Sequence, residues 1–166
     1  AVYFYIDRVI MMPAGRLYVT DLLVTGEVLL LNESIRHYLL RVLRLSVGDA
    51  VILFNGDGAD HRAIIQSIEK KHVAVHLVSS DYPQTESALS LTLVQSIVRS
   101  DRMDYAVQKA VELGVSRLVP VMTERCQYTK KSSQLNKKLA HWKAVAVSAA
   151  QQSGRCVVPH VSEPIA

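Results

Sequence analysis

The first half of the chain, from Arg16 to about Ser80, consists of short apolar runs separated by polar turns. This pattern is typical of β-strands with one buried and one solvent-facing side. The predicted strands are Glu27–Leu31, Asp49–Phe54, Arg62–Ile68 and Val73–Val78, with turns at Asn55–Gly58 and Glu69–His72. A helix is expected to begin after Asn32, whose side chain suits an N-cap, and to run to about Leu45. Together these elements predict a small meander, a barrel with the helix across one opening.

The second half shows strands alternating with helices. The predicted strands are Leu89–Val98, Ser116–Met122 and Val157–Val161, and the predicted helices are Arg102–Leu113 and Ser132–Gln152. In both helices apolar residues recur every three or four positions, which gives each helix one core-facing side. They are Met103, Ala106, Val107, Ala110 and Val111 in the first helix, and Leu135, Leu139, Trp142, Ala146 and Ala149 in the second. Strands and helices alternating at this spacing predict a parallel sheet covered by helices.

The predicted fold class is therefore α/β, with a β-barrel followed by a parallel α/β domain. Residues 1–15 are interpreted as an N-terminal leader or extension, and residues 16–80 as the barrel. Residues 81–88 form a polar linker that contains a proline, and residues 89–166 form the α/β part. A length of 166 residues fits one domain or two small ones.

The composition excludes several classes of protein. Apolar residues make up 49% of the chain and charged residues 20%, as in globular rather than disordered proteins. No uncharged apolar run reaches the roughly 18 residues of a membrane-spanning helix, so no membrane partner is expected. The two cysteines, Cys126 and Cys156, and the histidines show no metal-ligand spacing, so no metal is expected. Reduced thiols and a cytoplasmic location follow from the same cysteine usage.

Charge is distributed unevenly along the chain. Residues 1–88 carry 8 Lys and Arg against 10 Asp and Glu, whereas residues 89–166 carry 11 against 5. A basic half of this kind favours a polyanionic partner, because each neutralised phosphate releases counterions. A lysine-rich helix side that is merely solvated explains the charge equally well.

One candidate site lies on the helix predicted after Asn32. His37, Arg41 and Arg44 fall at i, i+4 and i+7, opposite the apolar side of that helix. Such groups in a row repel one another unless an anion lies nearby, so they indicate a track for nucleic-acid phosphates. The alternative is a solvated helix side with carboxylates reaching over from neighbouring elements.

A second candidate site lies where the last predicted helix ends. Gln151, Gln152, Ser153, Gly154 and Arg155 cluster at a boundary between helix and strand, where α/β proteins often bind ligands. The alternative is a helix end whose arginine satisfies terminal carbonyl groups.

The first strand-to-helix turn of the second half excludes one class of cofactor site. A dinucleotide-binding turn needs glycines there, because only backbone without side chains can approach the pyrophosphate. The turn Val98–Arg102 contains no glycine, and the chain contains no Walker A loop. A nucleotide-like cofactor would therefore bind elsewhere.

An ordered series of segments carries a family resemblance. In the first half the segments are His37–Arg44, Gly48-Asp49 and Phe54–Gly56. In the second half they are Asp101–Tyr105, Gln108–Val115, Pro120, Glu124–Cys126, Lys137-Lys138, Trp142, Gln152–Arg155 and Val158-Pro159. From about Arg16 to the end, this series resembles the RsmE family, the small-subunit ribosomal RNA (uracil-N3) methyltransferases of the SPOUT class.

The resemblance implies an N-terminal PUA-like barrel and the first part of a SPOUT domain, a parallel α/β fold with a deep C-terminal trefoil knot. It implies S-adenosylmethionine as methyl donor, a uridine of small-subunit (16S) ribosomal RNA as acceptor, and a homodimer. On this basis Arg155 is expected to stabilise the anionic uracil ring and Gln152 to hold a base edge. The residues expected to bind RNA phosphates are His37, Arg41, Arg44, Lys109 and Arg125.

The chain also departs from the family pattern. The family's later glycine-rich segment and its Leu-Arg-Thr-Glu-Thr-like motif, which build the knot, do not occur before Ala166. The cofactor-binding residues are therefore expected beyond Ala166, and these 166 residues alone are expected to be inactive. Gln151 stands where the family commonly has Glu, and Ser100 where it commonly has Gly. A non-enzymatic RNA-binding module stays open as the alternative function.

Overall fold

The structure, a computed structural model, describes residues 13–124 and 133–165. These residues form two compact units. The first unit consists of the described residues up to Leu53 together with Asp60–Asp81. The second consists of Phe54–Ala59 together with the described residues from Tyr82 onward. Most of the predicted leader, residues 1–15, lies outside the described residues.

The first unit is built around a five-stranded sheet. Its strands are β1 (Arg16–Tyr18), β2 (Val28–Leu31), β3 (Ala50–Phe54), β4 (Asp60–Ile68) and β5 (Val73–Asp81). In space they follow the order β1-β3-β4-β5-β2, and the pairs β3–β4, β4–β5 and β2–β5 are antiparallel. The sheet is curled, so the predicted barrel is present as a half-barrel with β1 and β2 at its edges.

The core of the first unit is formed by residues that alternate along these strands. In β4 the buried residues His61, Ala63 and Ile65 alternate with more exposed ones. The register of β4 against β5 shifts after Arg62 and again after Ile65. Such bulges bend a strand and increase its twist, which lets the sheet curl around its core.

A short helical segment follows β2. It consists of α1 (Glu33–His37) and a π-helical turn (Tyr38–Val42). Asn32 caps α1 as predicted, because its Oδ1 accepts a hydrogen bond of 3.1 Å from the Ile35 N–H. Leu39 of the π-helical turn is fully buried in the core of the unit.

The predicted end of this helix at about Leu45 is wrong. The helical hydrogen bonding ends when the Leu43 N–H donates to the Tyr38 carbonyl, five residues earlier. Arg44 then adopts a left-handed conformation with φ of +57°. The i, i+4, i+7 spacing predicted for His37, Arg41 and Arg44 therefore does not describe one α-helix.

The second unit contains the predicted parallel sheet. Its strands β6 (Thr92–Ser96), β7 (Arg117–Val121) and β8 (His160–Val161) lie side by side in chain order, and both neighbouring pairs are parallel. The helices α2 (Ser100–Glu112) and α3 (Ser133–Ser153) connect them. This alternation confirms the α/β prediction for the second half of the chain.

Most residues of the apolar sides predicted for the two helices are buried, whereas Ala106, Ala110 and Leu139 are half-buried. Met103, Val107 and Val111 of α2 are inaccessible to solvent, and Trp142 of α3 is 1% exposed. Each helix ends at a glycine in the left-handed region, where other residues are strained; the φ angles are +92° at Gly114 and +78° at Gly154.

Within residues 13–124 and 133–165, no helix has the length and apolar character required to cross a bilayer. Across the same part of the chain, no three His, Cys, Asp or Glu side chains are grouped so that they could hold a metal ion.

Candidate functional site

The predicted phosphate track lies around the end of the helical segment in the first unit. His37 ends α1, Arg41 lies in the π-helical turn and Arg44 follows it, and all three residues are exposed. No side chain of the three forms a hydrogen bond or ion pair with another described residue. By contrast, the Arg36 Nε donates to the Glu69 carbonyl at 2.5 Å. The two track arginines are therefore available to an anion.

Arg44 holds a backbone conformation that favours glycine. Its φ of +57° lies in the left-handed region, which costs an L-residue with a side chain about 1–2 kcal/mol. Strained residues of this kind concentrate at binding and switch sites. An exposed arginine kept at such a position supports its assignment to the phosphate track.

Arg155, the second candidate from the sequence, is buried in the second unit. The residue is 5% exposed. Its Nη1 donates to the carbonyl oxygens of Val111 and Val115, each at 2.9 Å. Its Nε and Nη2 donate to the carboxylate of Glu86 at 3.1 and 2.6 Å. We call the Glu86–Arg155 pair the clasp.

The clasp joins three parts of the second unit: the segment before β6, the end of α2 and the segment after α3. The Glu86 Oε1 also accepts a hydrogen bond of 3.3 Å from the Val157 N–H. One interpretation of the sequence was that Arg155 satisfies the terminal carbonyl groups of α3. In the structure Arg155 instead donates to carbonyl groups at the end of α2. These bonds give the guanidinium a structural role, and the role predicted for Arg155 at a uracil ring stays a prediction.

Gln152 lies beside the clasp in sequence and is exposed in the last turn of α3. The next residue, Ser153, turns its hydroxyl back onto the helix and donates to the Ala149 carbonyl at 2.8 Å. Gln152 therefore presents an amide to solvent at this helix end. Its predicted contact with a base edge stays a prediction.

Lys109, a predicted phosphate ligand, is already paired within α2. Its Nζ donates to the Glu112 Oε2 at 2.6 Å and lies 5.8 Å from the centre of the Tyr105 ring. The hydrogen bond to Glu112 raises the pKa of Lys109, and the same bond lowers the pKa of Glu112. Both groups are charged at neutral pH, and the pair is lost as the pH falls through the lowered pKa of Glu112. The charge of Lys109 is thus partly neutralised by its own helix.

Sequence reasoning missed two contacts between α2 and α3. The Lys138 Nζ donates to the Ser100 Oγ at 2.7 Å, and the His141 Nε2 lies 2.8 Å from the Asp104 Oδ2. Both pairs join residues far apart in sequence, so only the packing of the two helices brings them together. The sequence contained one signal for these contacts, namely that the residues lie outside the apolar sides of the two helices. Arg125, also predicted to bind RNA, lies outside the described residues.

The two units match different domains of known proteins. Residues 31–78 match a family model described as an RNA methyltransferase PUA domain, and residues 85–166 match an RNA methyltransferase domain. Ribosomal RNA small subunit methyltransferase E of Buchnera aphidicola (subspecies Acyrthosiphon pisum) is 30% identical over 90% of this chain and 59% of its own length. The protein of that name from Rickettsia conorii is 30% identical over 93% of this chain and 61% of its own length. The chain belongs to the RsmE family.

Two solved structures confirm the fold expected for the RsmE family. Ribosomal RNA small subunit methyltransferase E from Neisseria gonorrhoeae, bound to S-adenosylmethionine, has a TM-score of 0.85 and 38% identity over 91% of this chain and 62% of its own. A putative methyltransferase from Legionella pneumophila, in complex with the same cofactor, has a TM-score of 0.83 and 34% identity over 90% of this chain and 62% of its own. The architecture is thus a PUA-like unit followed by part of a SPOUT α/β domain.

The chain spans about three fifths of the length of these RsmE-family relatives. The helical segment of the phosphate track falls within the PUA match, and the clasp within the methyltransferase match. Both candidate sites therefore belong to the part of the fold that is shared with the RsmE family.

Proposed function

We propose that the protein acts as a homodimeric, S-adenosylmethionine-dependent enzyme that methylates N3 of a uridine in small-subunit ribosomal RNA. The observation that carries this proposal is the match of both units, in order, to proteins named ribosomal RNA small subunit methyltransferase E. Two relatives were crystallised with S-adenosylmethionine, which supports the choice of donor. The position N3 rests on the motif resemblance from His37 to Pro159.

In this proposal the first unit places the RNA. Arg41 and Arg44 are exposed and unneutralised, so they bind backbone phosphates, which fixes the register of an RNA without reading its bases. The uracil N3 must lose its proton before it can be methylated. In such a step, orientation of the base and stabilisation of the charge that develops on its ring contribute most to the rate acceleration.

No described residue is assigned to the methyl donor. S-adenosylmethionine supplies an electrophilic methyl group, and its ammonium, carboxylate and adenine need polar partners. The second unit has a groove of about 440 Å³, but its lining is apolar apart from one threonine; it consists of Leu91, Thr92, Leu93, Ala106, Ala110, Leu113 and Val115. These side chains do not fit the donor, because they offer one hydroxyl to its charged and polar groups.

A binding experiment tests the placement of the donor in the knot of the family fold. Calorimetry is expected to show no binding of S-adenosylmethionine to residues 1–166. A fusion of these residues to the remaining C-terminal part of the Neisseria gonorrhoeae relative is expected to bind it. Tight binding by the 166 residues alone would contradict the placement.

A transfer experiment tests the activity. Small-subunit RNA without the modification is incubated with the fusion and labelled donor, and mass spectrometry of the nucleosides is expected to find 3-methyluridine. Methylation of another atom or of large-subunit RNA would contradict the proposed specificity. The C-terminal part of the relative alone serves as the control, because it lacks the PUA-like unit.

Replacing Glu112 with glutamine tests the contribution of Lys109 to RNA binding. The substitution removes the charge that neutralises Lys109, so the affinity for a small-subunit RNA transcript is expected to rise about twofold, as for an exposed ion pair. Fluorescence anisotropy measures the change. The double variant E112Q/K109A should lose the gain; if it keeps the gain, Lys109 does not contact RNA.

The engagement of Arg155 in the clasp favours a second candidate, an RNA-binding module without catalysis. In that case the arginine serves only the fold, and Gln151 stands where the family commonly has a carboxylate. RNA binding that weakens steeply with salt, together with no methyl transfer by the fusion, is the result expected for this candidate.

A further inference from the structure

The start of α2 lies beside the second and third turns of α3, near the carboxyl edge of the parallel sheet. α2 begins four residues after β6 ends. The hydrogen bond between Ser100 and Lys138 and the contact between Asp104 and His141 join the first turns of α2 to α3. The second contact lies further along both helices than the first, because Asp104 follows Ser100 in α2 and His141 follows Lys138 in α3. The two helices therefore run parallel. In open α/β sheets this edge is where ligands bind.

Positive charge from both helices collects at this edge. Arg99 is the N-cap residue of α2 and Arg102 lies in its first turn, and both are exposed. Lys137 is also exposed, and Lys138 is held against Ser100. Because the N-cap arginine makes no side-chain hydrogen bond to α2, the positive end of the helix dipole adds to these charges.

The two arginines are not neutralised within the described part of the chain. Neither Arg99 nor Arg102 forms a hydrogen bond or ion pair there with its side chain. Of the nearby carboxylates, Asp104 is paired with His141, and Asp101 lies between the two arginines in sequence. Arg155 shows the opposite arrangement, buried and paired with Glu86. Unpaired exposed arginines at a positive edge fit a partner with a repeating negative charge.

We propose that the start of α2 and the second turn of α3 form a second surface for the RNA phosphodiester backbone, with Arg99 and Arg102 as its main contacts. We call it the edge surface; it also contains Lys137 and Lys138. The proposal rests on the function proposed above, which makes RNA the substrate, and it adds a contact that the PUA-like unit does not supply. Phosphate contacts of this kind position the RNA and carry no sequence information of their own.

The test compares the double variant R99A/R102A with the single variant R117A. Arg117 is an exposed arginine at the start of β7, the opposite edge of the same sheet, and it has no partner among the described residues. The binding of a small-subunit RNA transcript to residues 1–166 is measured by fluorescence anisotropy at several salt concentrations. R99A/R102A is expected to bind about fivefold more weakly at low salt, with Asp101 limiting the loss. Its slope of log affinity against log salt should fall by about 1.4 to 1.8.

R117A is expected to bind like the unmodified chain. If R99A/R102A matches R117A in affinity and salt slope, the edge surface is not an RNA contact. If the unmodified chain does not bind the transcript at all, the function proposed above is in doubt instead. Thermal unfolding of both variants, expected to be nearly unchanged for surface substitutions, shows that the loss of affinity is not a loss of fold.

Discussion

Replacing Glu86 with alanine is expected to lower the free energy of unfolding of the second unit by about 3 kcal/mol. Breaking a buried ion pair from one side costs 3–5 kcal/mol, because the remaining charge stays buried without a partner. The Arg155 side chain is 6% exposed and the Glu86 side chain 33%, so the low end of that range applies. The variant R155M is expected to cost a similar amount, because it removes the arginine donor to the Val115 carbonyl and leaves the Glu86 carboxylate without its charged partner.

Urea unfolding followed by the fluorescence of Trp142 measures this effect in the correct unit. Trp142 is the one tryptophan of the chain and is buried in the second unit. The exposed Arg117 provides the control, since R117M should change the free energy by less than about 0.5 kcal/mol. In the double variant E86A/R155M the two losses should not add, because both remove one interaction. Additive losses would mean that the two residues act independently.

Replacing Arg41 and Arg44 with alanine is expected to weaken the binding of a small-subunit RNA transcript about thirtyfold. The figure corresponds to about 2 kcal/mol for two charge-assisted hydrogen bonds to phosphate, less than their full strength because both residues are exposed. The loss should be uniform across RNA sequences and should lower the salt slope. Val42, exposed on the same π-helical turn, supplies the control variant V42A, which should bind normally.

The variants R44G and R44A together distinguish the effect of the Arg44 charge from the effect of its backbone strain. Because φ there is +57°, R44G relieves the left-handed conformation and is expected to raise the stability of the first unit by about 0.5 kcal/mol, after the entropy cost of glycine. R44A keeps the strain. Both variants should bind RNA equally weakly; normal binding by R44G would show that Arg44 is not a phosphate ligand.

The regular elements could be predicted because their causes are local. The alternation in β4, the apolar sides of α2 and α3 and the Asn32 cap each depend on residues within a few positions of one another. The end of the first helix could not be predicted, because no pattern in the sequence signals the π-helical turn that buries Leu39 in the core.

The candidate sites divide in the same way. The sequence indicated Arg41 and Arg44 by their charge and spacing, but the structure exposes them on a π-helical turn and on the left-handed residue after it rather than on one side of an α-helix. The clasp did not follow from the sequence, because Glu86 lies in a polar segment with no pattern of its own and its partner lies beyond α3. The contacts of Ser100 and Asp104 were equally hidden, since they exist only where the two helices pack.

The separation of Glu86 and Arg155 by 69 positions affects how the protein is made. At about 5–20 residues per second, a ribosome adds Arg155 roughly 3 to 14 s after Glu86. During that interval the emerging chain already contains β6, α2 and β7 but lacks the guanidinium that ties their ends together. Loop-closure entropy opposes a contact between such distant positions, so we expect substitution of Arg155 to accelerate unfolding more than it slows folding.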